Sequence, residues 1–261
     1  MKYFFILTFI QLSMFSSAQQ KRNWQQLFNG KDLQGWNIKI KGHTLNDNFA
    51  NTFSVENGVI KVRYDGYSGF NEQYGHIFYK TPYSYYLIAV EYRFVGKQVK
   101  GGADWAFKNS GIMIHCQDPA TMLKDQDFPI SVEVQLLGGD TTGDRPTCNV
   151  CTPGTNIVMN NKLITEHCIN STAKTFRGEE WIRAEVLVLG DSVIKHIVNG
   201  DTVLTYNKPQ IGGGVVNNYD PLIKKDGQLL SSGYISLQSE SHPIEFRKVE
   251  ILDLSKQYAR K

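Results

Sequence analysis

Between residues 24 and 254 the chain is written in short apolar or alternating runs, each closed by Gly, Asn, Asp or Pro, and this punctuation constrains the fold more than any other feature. Phe53-Ser54-Val55-Glu56 is followed by Asn57-Gly58 and then by Val59-Ile60-Lys61-Val62. An Asn-Gly pair between two such runs predicts a tight hairpin, because both residues tolerate positive φ. Further strands are expected over 85–94, 110–116, 131–137, 182–189, 192–198, 202–206, 233–238 and 244–252, with Asn199-Gly200 as another turn. No window sustains a 3.6-residue apolar period with a cap at each end, so helices should be few and short. This many strands must hide their apolar faces against one another, which predicts an all-β jelly-roll sandwich of two antiparallel sheets. Segments 138–155 and 212–228 read as long loops on that scaffold.

The chain is 41% hydrophobic and 12% aromatic, enough for a packed core. Its 28 Lys and Arg stand against 25 Asp and Glu, a net +3 that is spread too evenly to predict a nucleic-acid or anionic-membrane partner. At the start, Lys2, the apolar run from Phe4 to Ile10 and the small residues Ser16-Ser17-Ala18 predict a cleaved secretory signal peptide over residues 1–18. No cysteine follows those small residues, so a lipid anchor is not indicated. Cleavage leaves 261 − 18 = 243 residues, 19–261, expected to form one domain, periplasmic or secreted and without a membrane span.

An oxidising compartment makes pairing the default for Cys116, Cys148, Cys151 and Cys168, with three connectivities open. The run Cys148-Asn149-Val150-Cys151 with His167-Cys168 is also compatible with a tetrahedral zinc site. Cys116 shares the parity of Ile112 and Ile114 and is expected among them as a small buried hydrophobe.

Alternation also marks a polar face. In a strand, residues i, i+2 and i+4 share one side. Asn109, Gly111, Met113 and His115 oppose Ile112 and Ile114; Ser131, Glu133 and Gln135 oppose Val132, Val134 and Leu136; Ser236, Gln238 and Glu240 oppose Ile235 and Leu237. If the three strands are neighbours, Asn109, His115, Glu133, Gln135, Gln238 and Glu240 converge with a carboxylate on each of two strands. Amides and carboxylates suit the hydroxyl pairs of a sugar, and aromatic rings suit its C–H faces, with Trp105, Phe107, Trp181, Tyr83, Tyr85 and Tyr86 as platforms. His242 and Arg247 follow the third strand and are candidates to cap this surface. His196 shares parity with Ile194 and Val198, which fits either a hydrogen-bonded core histidine or a substrate contact. A polar face of this kind is also what an antiparallel sheet shows to water.

The order of Leu27-Phe28-Asn29-Gly30-Lys31-Asp32-Leu33-Gln34-Gly35-Trp36, Asn109-Ser110-Gly111-Ile112, Glu133-Val134-Gln135, Gly233-Tyr234-Ile235-Ser236-Leu237-Gln238 and Glu245-Phe246-Arg247-Lys248-Val249 resembles the 3-keto-disaccharide hydrolase domain family over nearly all of the chain after residue 18. The resemblance implies a concanavalin-like sandwich, and action on 3-keto glucosides, oxidised at C3 so that the C2 hydrogen becomes acidic. Elimination of the aglycone and addition of water would follow. On that reading Glu133, with Glu240 or His115, supplies the base and acid. Asn109, Gln135, Gln238, His196, His242, Arg247 and Trp105 bind substrate. A divalent metal on His115, Glu133 or Glu240 would stabilise an enediolate. A partner oxidoreductase would supply the keto sugar. The family often carries Arg where this chain has His115. Glucanase-like relatives place carboxylates at alternating positions of one strand, whereas this one reads Glu133, Gln135, Leu137. The alternatives are a non-catalytic sugar-binding sandwich, an ordinary glycoside hydrolase and, from the tyrosine-rich segment, an interaction domain.

Overall fold

A computed structural model of the chain describes residues 23–258. The expected signal peptide lies outside the described residues. In chain order the strands are β1 (Gln25–Gln26), β2 (Trp36–Ile40), β3 (Phe53–Glu56), β4 (Val59–Val62), β5 (Gly75–Tyr79), β6 (Tyr85–Phe94), β7 (Asn109–Cys116), β8 (Val132–Leu137), β9 (Asn149–Cys151), β10 (Thr155–Met159), β11 (Lys162–Ile164), β12 (Cys168–Ile169), β13 (Ile182–Leu189), β14 (Val193–Val198), β15 (Asp201–Ile211), β16 (Tyr234–Ser239) and β17 (Ile244–Asp253). Helix is confined to three short 3₁₀ turns and the four-residue Ser255–Tyr258 among the described residues. No described helix is long and apolar enough to cross a membrane.

The strands form two antiparallel sheets. A ten-stranded sheet runs β11-β10-β15-β14-β13-β6-β17-β4-β3, with β1 added against β17, and a seven-stranded sheet runs β12-β9-β8-β7-β16-β5-β2. The β3–β4 hairpin turns at Asn57 and Gly58 and the β14–β15 hairpin at Asn199 and Gly200, all four at positive φ, as Asn-Gly loops require. Ile77, Ile112, Val134 and Leu237 of the smaller sheet share one core with Ile88, Val186, Phe246 and Ile251 of the larger, and all are fully buried. The strict alternation in β13, buried at Ile182, Ala184, Val186 and Val188, is the signature of a strand with one face in that core.

β7 departs from regular alternation. Tyr234 of β16 pairs with Cys116 and Ser236 with Met113, so two steps on one strand oppose three on the other. This is a β-bulge, and His115 in it takes φ 52°. The extra residue reverses the parity beyond Ile114. Cys116 therefore packs with Met113, Phe78 and Met122 on the face away from the main core, not beside Ile112 and Ile114 as alternation alone implies. Cys151 and Cys168, direct partners between β9 and β12, form a disulfide, while Cys116 and Cys148 are free and buried. Cys148 lies in the inter-sheet core, on the other side of the sheet from Cys151, so it joins neither a second disulfide nor a zinc cluster with Cys151.

Candidate functional site

Pairing in the smaller sheet lines up Asn37, Phe78, Ser236, Met113, Glu133, Cys151 and Cys168 in one row across all seven strands. One step along, Lys39, His76 and Gln238 pair in sequence on one side, and Gly111, Gln135 and Asn149 on the other. These rows occupy the face opposite the core. Over the β8–β9–β12 end of these rows lies a cavity of about 450 Å³ lined by Asn109, Glu133, Gln135, Glu240 and Trp105 of the sequence-selected residues, whereas Gln238 is not part of its lining. Phe128, Leu137, Arg145, Cys151, Pro153, His167, Cys168 and Val215 complete its wall. Glu133 fits because its neighbour is Gly111: a Cβ there would stand 2.8 Å from both the Glu133 Cγ and Oε1.

The carboxylates sit among groups that the protein itself leaves unpaired. Asn109 Oδ1, Glu133 Oε1, Glu240 Oε2 and both amide atoms of Gln238 are buried without a hydrogen-bond partner, as are both nitrogens of His76. Burial pushes the Glu133 carboxyl up to about 8. Glu240 is driven well above its ordinary range by burial first and then by the neighbouring Glu133 charge. Burial raises both carboxyls, and a charge on one opposes ionisation of the other, so the pair favours a state with one proton between them, which places a base and an acid side by side. The half-buried Tyr74 hydroxyl is raised to about 12 by burial and then by Glu240, Glu72 and Asp127. Burial and the nearby Lys39 push His76 down to about 3, so its ring is neutral. Gln135 is held in place by Asn149 Nδ2, which donates to its Oε1 at 3.0 Å.

Other candidates lie elsewhere. The β7 bulge turns His115 away from Glu133, and its Nε2 donates to the Gly190 carbonyl at 3.2 Å in the β13–β14 turn. His115 instead lines a separate cavity of about 300 Å³ with Gln117, Ile223 and Leu230. His115 therefore lines a different cavity from Glu133 and Glu240 and does not share a site with them. His196 is a core residue: its Nδ1 donates to the Cys148 carbonyl at 2.9 Å and its Nε2 accepts from the Tyr206 hydroxyl at 2.9 Å, so no ring nitrogen remains for a ligand. Arg247 lies on the solvent face of the larger sheet, bonded to Glu91 at 2.6 Å and stacked on Trp181. That placement also removes Trp181 from the site. Tyr86 is buried in the core, and Tyr85 stacks on Tyr258. His242 is buried against Phe107, and burial followed by the charges of Lys108 and Arg145 lowers it to about 4. It is not among the residues that line the cavity.

Alternation in Asn37-Ile38-Lys39-Ile40 and in Gly75-His76-Ile77-Phe78 marks Lys39 and His76 as polar positions on apolar strands, a signal the sequence reading passed over. The Lys39 ammonium is spent on the carbonyls of Ile40 and Lys124. Phe128, Arg145, His167 and Val215 enter from loops, where no periodicity points to them. The Arg145 guanidinium donates to the carbonyls of Trp105, Phe107 and Gly138, fixing the segment that carries Trp105 at the cavity rim.

Residues 23–252 match the family of the 3-keto-alpha-glucoside-1,2-lyase-like domain. Two crystal structures from Parabacteroides distasonis ATCC 8503, both provisionally named glycosyl hydrolases, share the fold. One aligns with TM-score 0.53 and 20% identity over 88% of this chain and 94% of its own. The other aligns with TM-score 0.52 and 20% identity over 88% and 99%. No curated protein matches the chain.

Proposed function

The chain belongs to the 3-keto-alpha-glucoside-1,2-lyase-like domain family, and from that membership we propose that it cleaves 3-keto glucosides by elimination followed by hydration. The observation that carries the reading is the buried Glu133–Glu240 pair, both carboxyls raised by burial, in the wall of one cavity. Glu133, once ionised, removes the C2 hydrogen, whose electrons pass to the C3 carbonyl as an enolate. Collapse of the enolate forms the C1–C2 double bond and expels the glycosidic oxygen, which takes the Glu240 proton. Addition of water across that double bond then yields the free 3-keto sugar. Trp105, exposed at the rim, offers a stacking platform for substrate. Because the substrate carries a ketone at C3, an oxidoreductase acts before this protein.

The test is release of aglycone from a 3-keto glucoside and from its unoxidised parent by the purified protein, with and without chelator. The keto form alone is expected to react, with a rate that climbs as pH rises toward 8 and Glu133 ionises. Glu133→Gln and Glu240→Gln should each lower kcat by about a hundredfold or more, the range of general acid–base catalysis. Cleavage of the parent would mean an ordinary glycoside hydrolase. Cleavage of neither, with sugar still bound, would mean a binding sandwich.

A further inference from the structure

The cavity wall holds a cluster that the elimination chemistry does not use. Cys151 Sγ, Cys168 Sγ and a ring nitrogen of His167 all lie within 4.8 Å of one another. All three residues line the cavity, and Cys151 stands directly opposite Glu133 in the register. His167 is pinned by its own carbonyl, which accepts from Thr152 N at 2.9 Å and Thr152 Oγ1 at 3.2 Å, while its Nδ1 is buried without a partner. In the structure the two sulfurs are joined as a disulfide.

We propose that Cys151, His167 and Cys168 form a redox-gated site for a zinc-class divalent cation, closed in the disulfide form and opened by a dithiol reductant. Reduction delivers two electrons and two protons to the disulfide and leaves the dithiol oxidised. Metal binding then releases the two thiol protons, because the ligands are thiolates. Two thiolates and one imidazole would satisfy three positions of a tetrahedron, and since all three residues line the cavity the fourth would be left for an exogenous oxygen. Oxidation removes both sulfur ligands at once, so occupancy follows the thiol–disulfide state. This inference does not depend on the identity of the sugar.

The full chain is reduced with a phosphine, desalted without oxygen and titrated with Co²⁺ alone. One equivalent per chain should bind, with thiolate-to-cobalt charge-transfer absorption and the strong visible bands of tetrahedral Co²⁺, bleached by Zn²⁺. The disulfide form should show neither. His167→Ala, which keeps both cysteines, should weaken binding by about tenfold or more, and Cys148→Ala should leave it unchanged. Absence of the bands in the reduced chain, their persistence at full affinity in His167→Ala, or their loss in Cys148→Ala would each overturn the proposal. If reduction alone unfolds the chain, recovery of near-ultraviolet circular dichroism on adding Co²⁺ supports the site, and failure to recover sinks it.

Discussion

The Glu133 carboxylate occupies space that exists only because residue 111 has no side chain, and it is raised to about 8 from an ordinary value of 4.5 by burial. The stability consequence has a definite sign. The folded state holds the proton more tightly than the unfolded chain, so stability is complete below pH 4.5 and declines as pH rises toward 8. Glutamine has the same shape and does not titrate. Glu133→Gln should therefore be about as stable as the parent near pH 4.5 and more stable at pH 8 by roughly 4 kcal/mol, at 1.36 kcal/mol per pH unit between 4.5 and 8. Thermal unfolding at the two pH values checks this, and parallel pH profiles for both proteins would contradict it. Activity and stability pull in opposite directions at this residue: the same burial that makes a strong base out of Glu133 strains the fold that carries it.

Among the elements, β7 shows how a local irregularity decides which chemistry reaches a site. Its bulge is made possible by Gly233 on the neighbouring chain segment, where an added Cβ would fall 2.4 Å from the His115 carbonyl carbon and 2.8 Å from the Cys116 carbonyl oxygen. Those are backbone atoms with no rotamer to yield. Gly233→Ala should cost about 2 kcal/mol or more, read as a lower denaturant midpoint; a change within about 0.5 kcal/mol would mean that the bulge relaxes freely. β13 with its clean alternation, the long apolar run of β6 and the β3–β4 hairpin with its Asn-Gly turn were legible from sequence because period-2 burial, run length and turn chemistry act locally. β2, β5 and the short β9–β12 were harder to read: β5 is buried at every position, β9, β11 and β12 run over only two or three residues, and in β2 and β5 the alternation rests on a few polar positions such as Lys39 and His76. His115 and Cys116 were misassigned for one reason: a bulge shifts parity and leaves no mark in the alternation itself.

At the scale of the whole molecule, the site joins parts of the chain that are far apart in sequence, from Trp105 and Phe128 through Arg145 and His167 to Val215 and Glu240. Its floor could be read from strand parity, which placed Asn109, Glu133 and Gln135 together, with Glu240 beyond the end of its strand. Its walls could not, because loops carry no period, and the identity of His196 and Arg247 as structural residues depends on partners 48 and 156 residues away. Trp105 is 54% exposed and contributes little to the core, so Trp105→Ala should leave thermal stability nearly unchanged and raise KM for a glycoside by about tenfold with a smaller effect on kcat. An unchanged KM would remove the rim from the binding surface. The unpaired atoms of Asn109, Glu133 and Glu240 in the cavity wall carry one more consequence. A ligand that fills the cavity without matching them leaves buried polar groups dry, at about 1–3 kcal/mol for each. Selection among sugars is then exerted by omission: a deoxygenated ring of the right size is turned away more firmly than a fully hydroxylated ring that fits a little less well.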